Sequence, residues 1–205
     1  MSLHNLLAEE QSGFLNFGGA RMALLDIESG FWALRRQLEA LIGERLTHSV
    51  LQQAGANGGA SFAQSFYRQA GKEKSGIFTA CIKAYQTAGC GQFEIIRWEW
   101  PLGRIQIRGS NAFEAWMYRQ KNDKPHSPIC SYSAGVFVGF VNLLGNRQDV
   151  VCIERTCEAR GDDACLFELL PAFIISTTSP VQNLSFCPCL NASWRGRPSS
   201  RMTSV

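Results

Sequence analysis

The chain has 205 residues, of which 45% are hydrophobic and 18% are charged, a composition typical of a globular protein with one domain-sized core. Beyond residue 172 the only charged side chains are Arg195, Arg197 and Arg201, so the first 172 residues carry 17 basic and 17 acidic side chains. This balance leaves no basic surface of the kind that binds DNA or RNA, so we expect no direct contact with nucleic acid.

The cysteine content and the N-terminal sequence indicate a cellular compartment. Eight cysteines are present, and residues 1–7 lack both the basic stretch and the long apolar core of a secretory signal. No apolar run reaches the roughly 18 residues that a membrane-spanning helix requires. We therefore expect a cytoplasmic protein without a membrane span, whose cysteines are metal ligands or free thiols.

The first part of the chain, residues 1–72, is predicted to be mainly helical. Residues 13–17 predict a short strand, residues 20–26 a helical turn or two, and Ser29 is expected to cap a longer helix. The apolar positions at helical spacing, which predict one buried stripe, are Phe31, Leu34, Leu38, Leu41 and Ile42. The charged positions predicted to face solvent are Arg35, Arg36 and Glu39. Gly43 interrupts this helix, and a second one begins near Glu44.

A glycine-rich segment at residues 55–60, Gly-Ala-Asn-Gly-Gly-Ala, lies inside the helical pattern. Glycine costs about 1 kcal/mol relative to alanine in a helix interior. Its presence there predicts close backbone approach to a neighbouring helix or to a second subunit. The segment is not a phosphate-binding loop, because no strand precedes it and no G-K-[ST] follows.

The second part, residues 73–172, combines helices with strands. Helices are predicted over residues 75–88 and, nearly all apolar, over 131–144. Strands are predicted over 92–100, 104–108, 150–156 and 165–169, with hairpin turns between members of each pair. The expected fold class is α+β, with an antiparallel sheet of about four strands packed against a helical layer.

Three cysteines and one glutamate recur between residues 130 and 165. Glu154 and Cys157 form an E-x-x-C pattern, Cys165 follows a polar turn, and Cys130 precedes the apolar helix. Zinc takes four such ligands tetrahedrally, so the set predicts a closed structural metal site. In a regular strand Glu154 and Cys157 would point to opposite faces, so the strand must end or bulge between them. The alternative is that these cysteines are small apolar core residues.

This segment resembles the vinyl-reductase-type small-molecule-binding domain, which bacteriochlorophyll vinyl reductase accessory proteins share with sensor domains of bacterial activators of aromatic catabolism. The resemblance rests on the sequence C-S-Y-S-A-G at 130–135, the E-x-x-C at Glu154 and the G-x-x-x-C at Gly161. In the aromatic-sensing branch the three cysteines and the glutamate bind zinc, which implies a zinc cofactor at the same four residues here. The N-terminal half resembles the helical region of those sensors, which implies an N-terminal helical dimerisation region and a homodimer.

The resemblance also implies a small hydrophobic or aromatic ligand between the sheet and the helices. The predicted ligand-binding residues are Cys81, Trp98, Ile107, Phe113 and Tyr132. Phenol-responsive members orient the ligand hydroxyl with a His and a Trp, and the corresponding positions here are Cys81 and Gly109. We therefore expect a more apolar ligand than phenol, or one of another class such as a lipid or a tetrapyrrole fragment. The alternative is that the aromatic side chains only fill the core.

Two functions follow from these features. The favoured one is a zinc-stabilised sensor domain over residues 1–172, followed by a disordered tail at 173–205, that passes ligand occupancy to a signalling partner in trans. The alternative is an accessory or catalytic protein in reduction of a chlorophyllide vinyl group. That reaction needs a hydride donor, and the sequence has neither a dinucleotide fingerprint nor flavin-binding features. No catalytic residue is predicted.

Overall fold

The computed structural model describes residues 7–9, 15–69 and 73–174. Of the tail predicted at 173–205, only Phe173 and Ile174 fall within the described residues, and the boundaries at 72 and 172 stay predictions.

A small antiparallel sheet opens the chain, with the strands β1 (Leu7–Glu9), β2 (Leu15–Phe17) and β3 (Ala20–Met22). The helical turn predicted over residues 20–26 is therefore wrong. Gly18 and Gly19 both adopt positive φ angles, 58° and 85°, which glycine reaches without steric cost. They form the tight turn that returns the chain on itself, so Ala20 pairs with Phe17.

A long helix follows, with a short wide turn at Ile27–Phe31 leading into α1 (Trp32–Gln69). Its start is capped by Asp26, whose carboxylate accepts from the amides of residues 28, 29 and 30, and not by Ser29 as predicted. The predicted interruption at Gly43 is confirmed, because this residue has a left-handed φ of 79° inside the helix.

The burial of the first half of α1 is nearly the reverse of the prediction. Phe31 is buried as expected, but Leu34, Leu41 and Ile42 are exposed, Leu41 to 78%. Arg35, predicted to face solvent, is completely buried. The apolar side of this half-helix has no cover within the described part of a single chain, while its opposite side packs on the body of the protein.

The rest of the chain forms the α+β core that the sequence predicts. The elements in order are α2 (Lys74–Thr87), β4 (Gln92–Glu99), β5 (Arg104–Ser110), α3 (Phe113–Gln120), α4 (Ser131–Gly145), β6 (Val150–Thr156) and β7 (Cys165–Pro171). The last four strands form one antiparallel sheet in the order β4-β5-β7-β6. Among the described residues, no helix combines the length and the apolar character needed to cross a membrane.

Helix α4 lies at the centre, between the sheet and α1. On the sheet side, the ring of Phe137 contacts those of Phe93 and Phe167 at centroid distances of 5.1 Å each. On the other side, a Cβ added at Gly135 would overlap the carbonyl of Gln52, and one added at Gly59 would overlap that of Val136. The predicted close approach at the glycine-rich segment is confirmed, and the neighbour is α4.

Candidate metal centre and the buried polar network beside it

The four predicted metal ligands come from three separate places in the fold. Cys130 is the residue that precedes α4, Glu154 lies in β6, Cys157 follows the end of β6, and Cys165 begins β7. The register of β6 against β7 shifts between Glu154 and Thr156, so an extra residue is accommodated there. The strand thus bulges where the sequence requires it to, and both side chains reach the same point.

The distances between the ligand atoms fit a tetrahedral ion. The Sγ atom of Cys130 lies 3.9 Å from that of Cys157 and 3.8 Å from that of Cys165. All four ligand atoms, including a carboxylate oxygen of Glu154, lie within 4.8 Å of one another. Zinc–sulfur bonds of about 2.3 Å in a tetrahedron set the sulfurs roughly 3.8 Å apart, whereas a disulfide requires about 2.0 Å. The cluster can therefore hold a metal ion.

Glu154 provides an independent test of this fit. Its Oε2 atom accepts a hydrogen bond of 2.7 Å from the amide of Cys130. Its Oε1 atom is buried and has no hydrogen-bond partner in the described structure. An unsatisfied buried carboxylate oxygen costs free energy, and a cation bound beside it removes that cost.

The electrostatics of the cluster favour a bound cation. Burial raises the pKa of the Cys130 thiol and of the Glu154 carboxyl well above their usual values. Hydrogen bonds from the thiols of Cys130 and Cys165 lower the pKa of Cys157 to about 2, so one thiolate is shared among three sulfurs. Further negative charge in this buried space needs a positive ion, because neighbouring like charges oppose ionisation.

The turn between the last two ligands is fixed by its own hydrogen bonds. The amide of Cys157 donates to Oδ2 of Asp162 at 2.8 Å, and the amide of Glu158 lies 3.5 Å from Sγ of Cys165 as a donor. Gly161 closes the turn with a φ of 96°. This is the polar, glycine-centred turn predicted from the sequence, and it brings Cys157 and Cys165 together.

Arg35 forms a buried polar network beside the metal cluster, which the sequence analysis missed. Its Nη1 donates to the carbonyl of Ile129 at 2.8 Å, directly before Cys130, and to Glu114 at 3.4 Å. Its Nε donates to Tyr118 and to Glu39, at 2.9 and 3.0 Å. The signal available in the sequence was the Arg35–Glu39 pair one helical turn after the buried Phe31.

Glu114 carries the network into the first turn of α4. Its carboxylate accepts from the amides of Tyr132 and Ser133, at 3.1 and 2.9 Å, and from the Ser133 hydroxyl at 2.9 Å. The Ser133 hydroxyl in turn lies 3.2 Å from the hydroxyl of Tyr85 in α2. Burial raises the pKa of Glu114, while Arg35 and the two amides act in the opposite direction. The carboxylate serves as a cap supplied from another helix.

Comparisons with known proteins agree with this geometry. Residues 104–171 match the 4-vinyl-reductase-type domain family, and residues 3–100 match the family described as activator of aromatic catabolism. This chain carries a 4-vinyl-reductase-type domain. The recognition of the vinyl-reductase-type family from the residues around the metal cluster is therefore confirmed. No curated protein matches the chain.

Solved structures show the same fold. The chain is similar to the phenol-responsive sensory domain of the transcription activator PoxR, crystallised with phenol, with 18% identity over 87% of this chain and 94% of that chain and a TM-score of 0.73. Two further matches have TM-scores below 0.5. One is a vinyl-4-reductase family protein from Methanocaldococcus jannaschii, with 17% identity over 69% of this chain and 76% of that chain and a TM-score of 0.45. The other is a trafficking protein particle complex subunit 3 from Naegleria fowleri covalently bound to palmitic acid, with 13% identity over 69% of this chain and 90% of that chain and a TM-score of 0.48.

The residues predicted to line a ligand site divide between two clusters. Cys81 and Ile107 are fully buried in the main core, and Trp98 packs at its edge. Phe113 belongs to a second cluster around Phe31 and Met117, and the half-buried Tyr132 packs against both clusters. Their roles as ligand-binding residues stay predictions.

An open cleft of about 220 Å³ lies elsewhere, on the other face of the sheet. It is lined by Arg97, Arg104, Ile105, Gln106, Glu168, Leu169, Leu170 and Ile174. The cleft contains none of the five predicted ligand-binding residues.

Proposed function

We propose that this 4-vinyl-reductase-type domain is a zinc-stabilised regulatory sensor that binds a small hydrophobic molecule. The observation that carries the proposal is the buried cluster of three thiols and one carboxylate at tetrahedral spacing. Three soft thiolate ligands favour zinc over magnesium or calcium, which prefer oxygen. All four positions are supplied by the protein, so the bound zinc would be structural, joining the start of α4 to the β6–β7 hairpin.

The proposed ligand lies in the aromatic core between the sheet and α2 and α4. Burial raises the pKa of the Cys81 thiol to about 12, so this side chain stays neutral and offers a phenol hydroxyl only a weak partner. At Gly109 a Cβ would lie 2.9 Å from the ring of Phe93 and 3.2 Å from that of Phe167, so the rings already occupy that side. Both features support a ligand more apolar than phenol.

The proposed assembly is a homodimer formed through α1. Leu34, Leu41, Leu46 and Val50 are exposed along this helix in the single chain. Exposed apolar rows of this kind are typical of protein–protein contacts, and a second copy related by a two-fold axis would cover each row with the other. We propose the cytoplasm as the compartment, since eight cysteines suit a reducing environment. Occupancy would be passed to a partner in trans.

Native mass spectrometry of the purified chain tests these proposals together. We expect a dimer with about one zinc per chain, and any ligand that copurifies should be a hydrophobic molecule. A metal-free monomer would contradict both the zinc site and the assembly.

Thermal unfolding with added ligands tests the ligand class. Toluene and phenol differ mainly by the hydroxyl, and we expect toluene to raise the midpoint more than phenol at equal concentration. A larger shift with phenol would contradict the apolar ligand. Vinyl reduction by NADPH without any partner protein would favour the vinyl reductase alternative over a sensor.

A further inference from the structure

The guanidinium of Arg35 is the point at which α1, α3 and the segment before α4 meet. It belongs to the half of α1 that carries the exposed apolar row, yet its own side chain is completely buried. Besides Ile129 and Glu114, its partners are Tyr118 in α3 and, through Nη2 at 3.0 Å, His48 in the next part of α1. One side chain thus fixes the relative positions of three segments.

The contact with Ile129 ties Arg35 to the metal cluster. Ile129 directly precedes Cys130, and the hydrogen bond of 2.8 Å to its carbonyl restrains the backbone that presents this thiol. Glu114 adds a second restraint, because the same carboxylate that pairs with Arg35 holds the first amides of α4. A shift of α1 at Arg35 must therefore move, or break contact with, the backbone next to the metal ligand.

Only an arginine can make this set of contacts. A guanidinium has five N–H donors in a planar fork, and here they serve five acceptors around its rim. Lysine carries the same charge on a single nitrogen and cannot reach acceptors on opposite sides at once.

We propose that Arg35 is a positioning residue that couples the metal segment at the start of α4 to the half of α1 that carries the exposed apolar row. The metal end of this coupling rests on the zinc site proposed above. In a sensor, this coupling transmits a change near α4 to the surface proposed to contact a second copy. Both routes, through Ile129 and through Glu114, pass through the same guanidinium.

Hydrogen exchange measured by peptide mass spectrometry tests the proposal with two variants of neighbouring arginines. In Arg35→Lys, amides at 129–135 should exchange at least about tenfold faster than in the wild type, while 74–99 stay protected. Arg36→Lys is the control, because Arg36 is half-exposed and pairs with Glu39 and Asp123 at the surface. It should leave both segments unchanged. Equal exchange at 129–135 in Arg35→Lys and wild type overturns the proposal.

The second measurement follows the response to zinc. In the wild type, adding zinc to the chelator-treated chain should slow exchange both at 154–165 and at 33–48 of α1. In Arg35→Lys, zinc should still bind at one per chain and protect 154–165, but 33–48 should no longer respond. A zinc response at 33–48 that persists in Arg35→Lys, or that is lost equally in Arg36→Lys, overturns the coupling.

Two outcomes keep this proposal separate from the proposed function. If the wild type binds no zinc, the zinc site fails, and the exchange at 129–135 still decides whether Arg35 positions that segment. If Arg35→Lys loses protection throughout the chain, Glu114→Gln replaces it, since this change keeps the side-chain shape and removes the charge that Arg35 contacts. Faster exchange confined to 129–135 in Glu114→Gln supports the proposal, and wild-type exchange there overturns it.

Discussion

Helix α4 and the first half of α1 both have apolar residues at helical spacing, but the structure treats them in opposite ways. Residues 133–141 of α4 are all buried, because the sheet covers one side of this helix and α1 the other. In the first half of α1 the leucines are exposed and an arginine is buried. The spacing of apolar residues shows that a helix has an apolar face, but it does not show whether the same chain covers that face.

The two regions also differ in what holds them in place. The start of α4 is fixed by the metal cluster and by glycines that let α1 approach to backbone contact. The first half of α1 is held through the polar contacts of Arg35, with few apolar contacts of its own. Contacts in the α4 region are therefore expected to determine folding stability, and the exposed face of α1 to determine assembly.

Removal of a metal ligand should have the largest effect. Cys157→Ser should reduce zinc from about one per chain to nearly none, and the free energy of unfolding should fall by more than about 4 kcal/mol, as is found when a structural metal is lost. Elemental analysis measures the metal, and urea unfolding measures the stability.

The control for this prediction is another cysteine of the same strand region. Cys152 lies in β6 and is buried, but it is not part of the cluster. Cys152→Ser should keep about one zinc per chain. Equal loss of zinc from both variants would show that the metal responds to general damage in the strand.

The glycine contact between α4 and α1 gives the next largest effect. In Gly135→Ala the new Cβ would overlap the carbonyl of Gln52, so the helices must separate, at a cost of about 3 kcal/mol of unfolding free energy. Gly76→Ala in α2 is the control, because nothing lies within 4 Å of a Cβ there. Alanine is favoured in a helix by up to about 1 kcal/mol, so this control should be neutral or stabilising. Similar destabilisation by both changes would contradict the close contact.

The parts of the molecule that could be predicted from sequence are those recorded by local patterns. The four strands and the turn at Gly161 follow from alternation and turn residues, and the required bulge follows from the opposite directions of Glu154 and Cys157. The burial of Arg35 could not be predicted in this way. Its partners Glu114 and Ile129 are 79 and 94 residues away, so only the folded chain shows that the charge is satisfied.

The exposed side of α1 should control the oligomeric state with little effect on the fold. Leu41 is 78% exposed in the single chain and would be buried twice in a symmetric dimer. Leu41→Glu should weaken the dimer by about 3 kcal/mol, or roughly a hundredfold in dissociation constant. Light scattering after gel filtration measures the change. Ile96→Glu, at an exposed apolar residue of β4, should leave the mass unchanged, and a wild-type monomer would contradict the interface.

The smallest effect should come from His48, which joins α1 to the Arg35 network. Burial and the neighbouring Arg35 lower the pKa of His48 below its usual 6.5, although Glu44 at 3.9 Å opposes this. The unfolded chain therefore binds a proton first as the pH falls, so stability should decline from about pH 6.5 down to the lowered pKa of the folded state. His48→Gln keeps an acceptor for Arg35 and cannot gain the proton, so its stability should decline less over that interval. His126→Gln, in an exposed loop, should retain the full wild-type decline, and so should His48→Gln if the burial of His48 has no influence on the unfolding equilibrium.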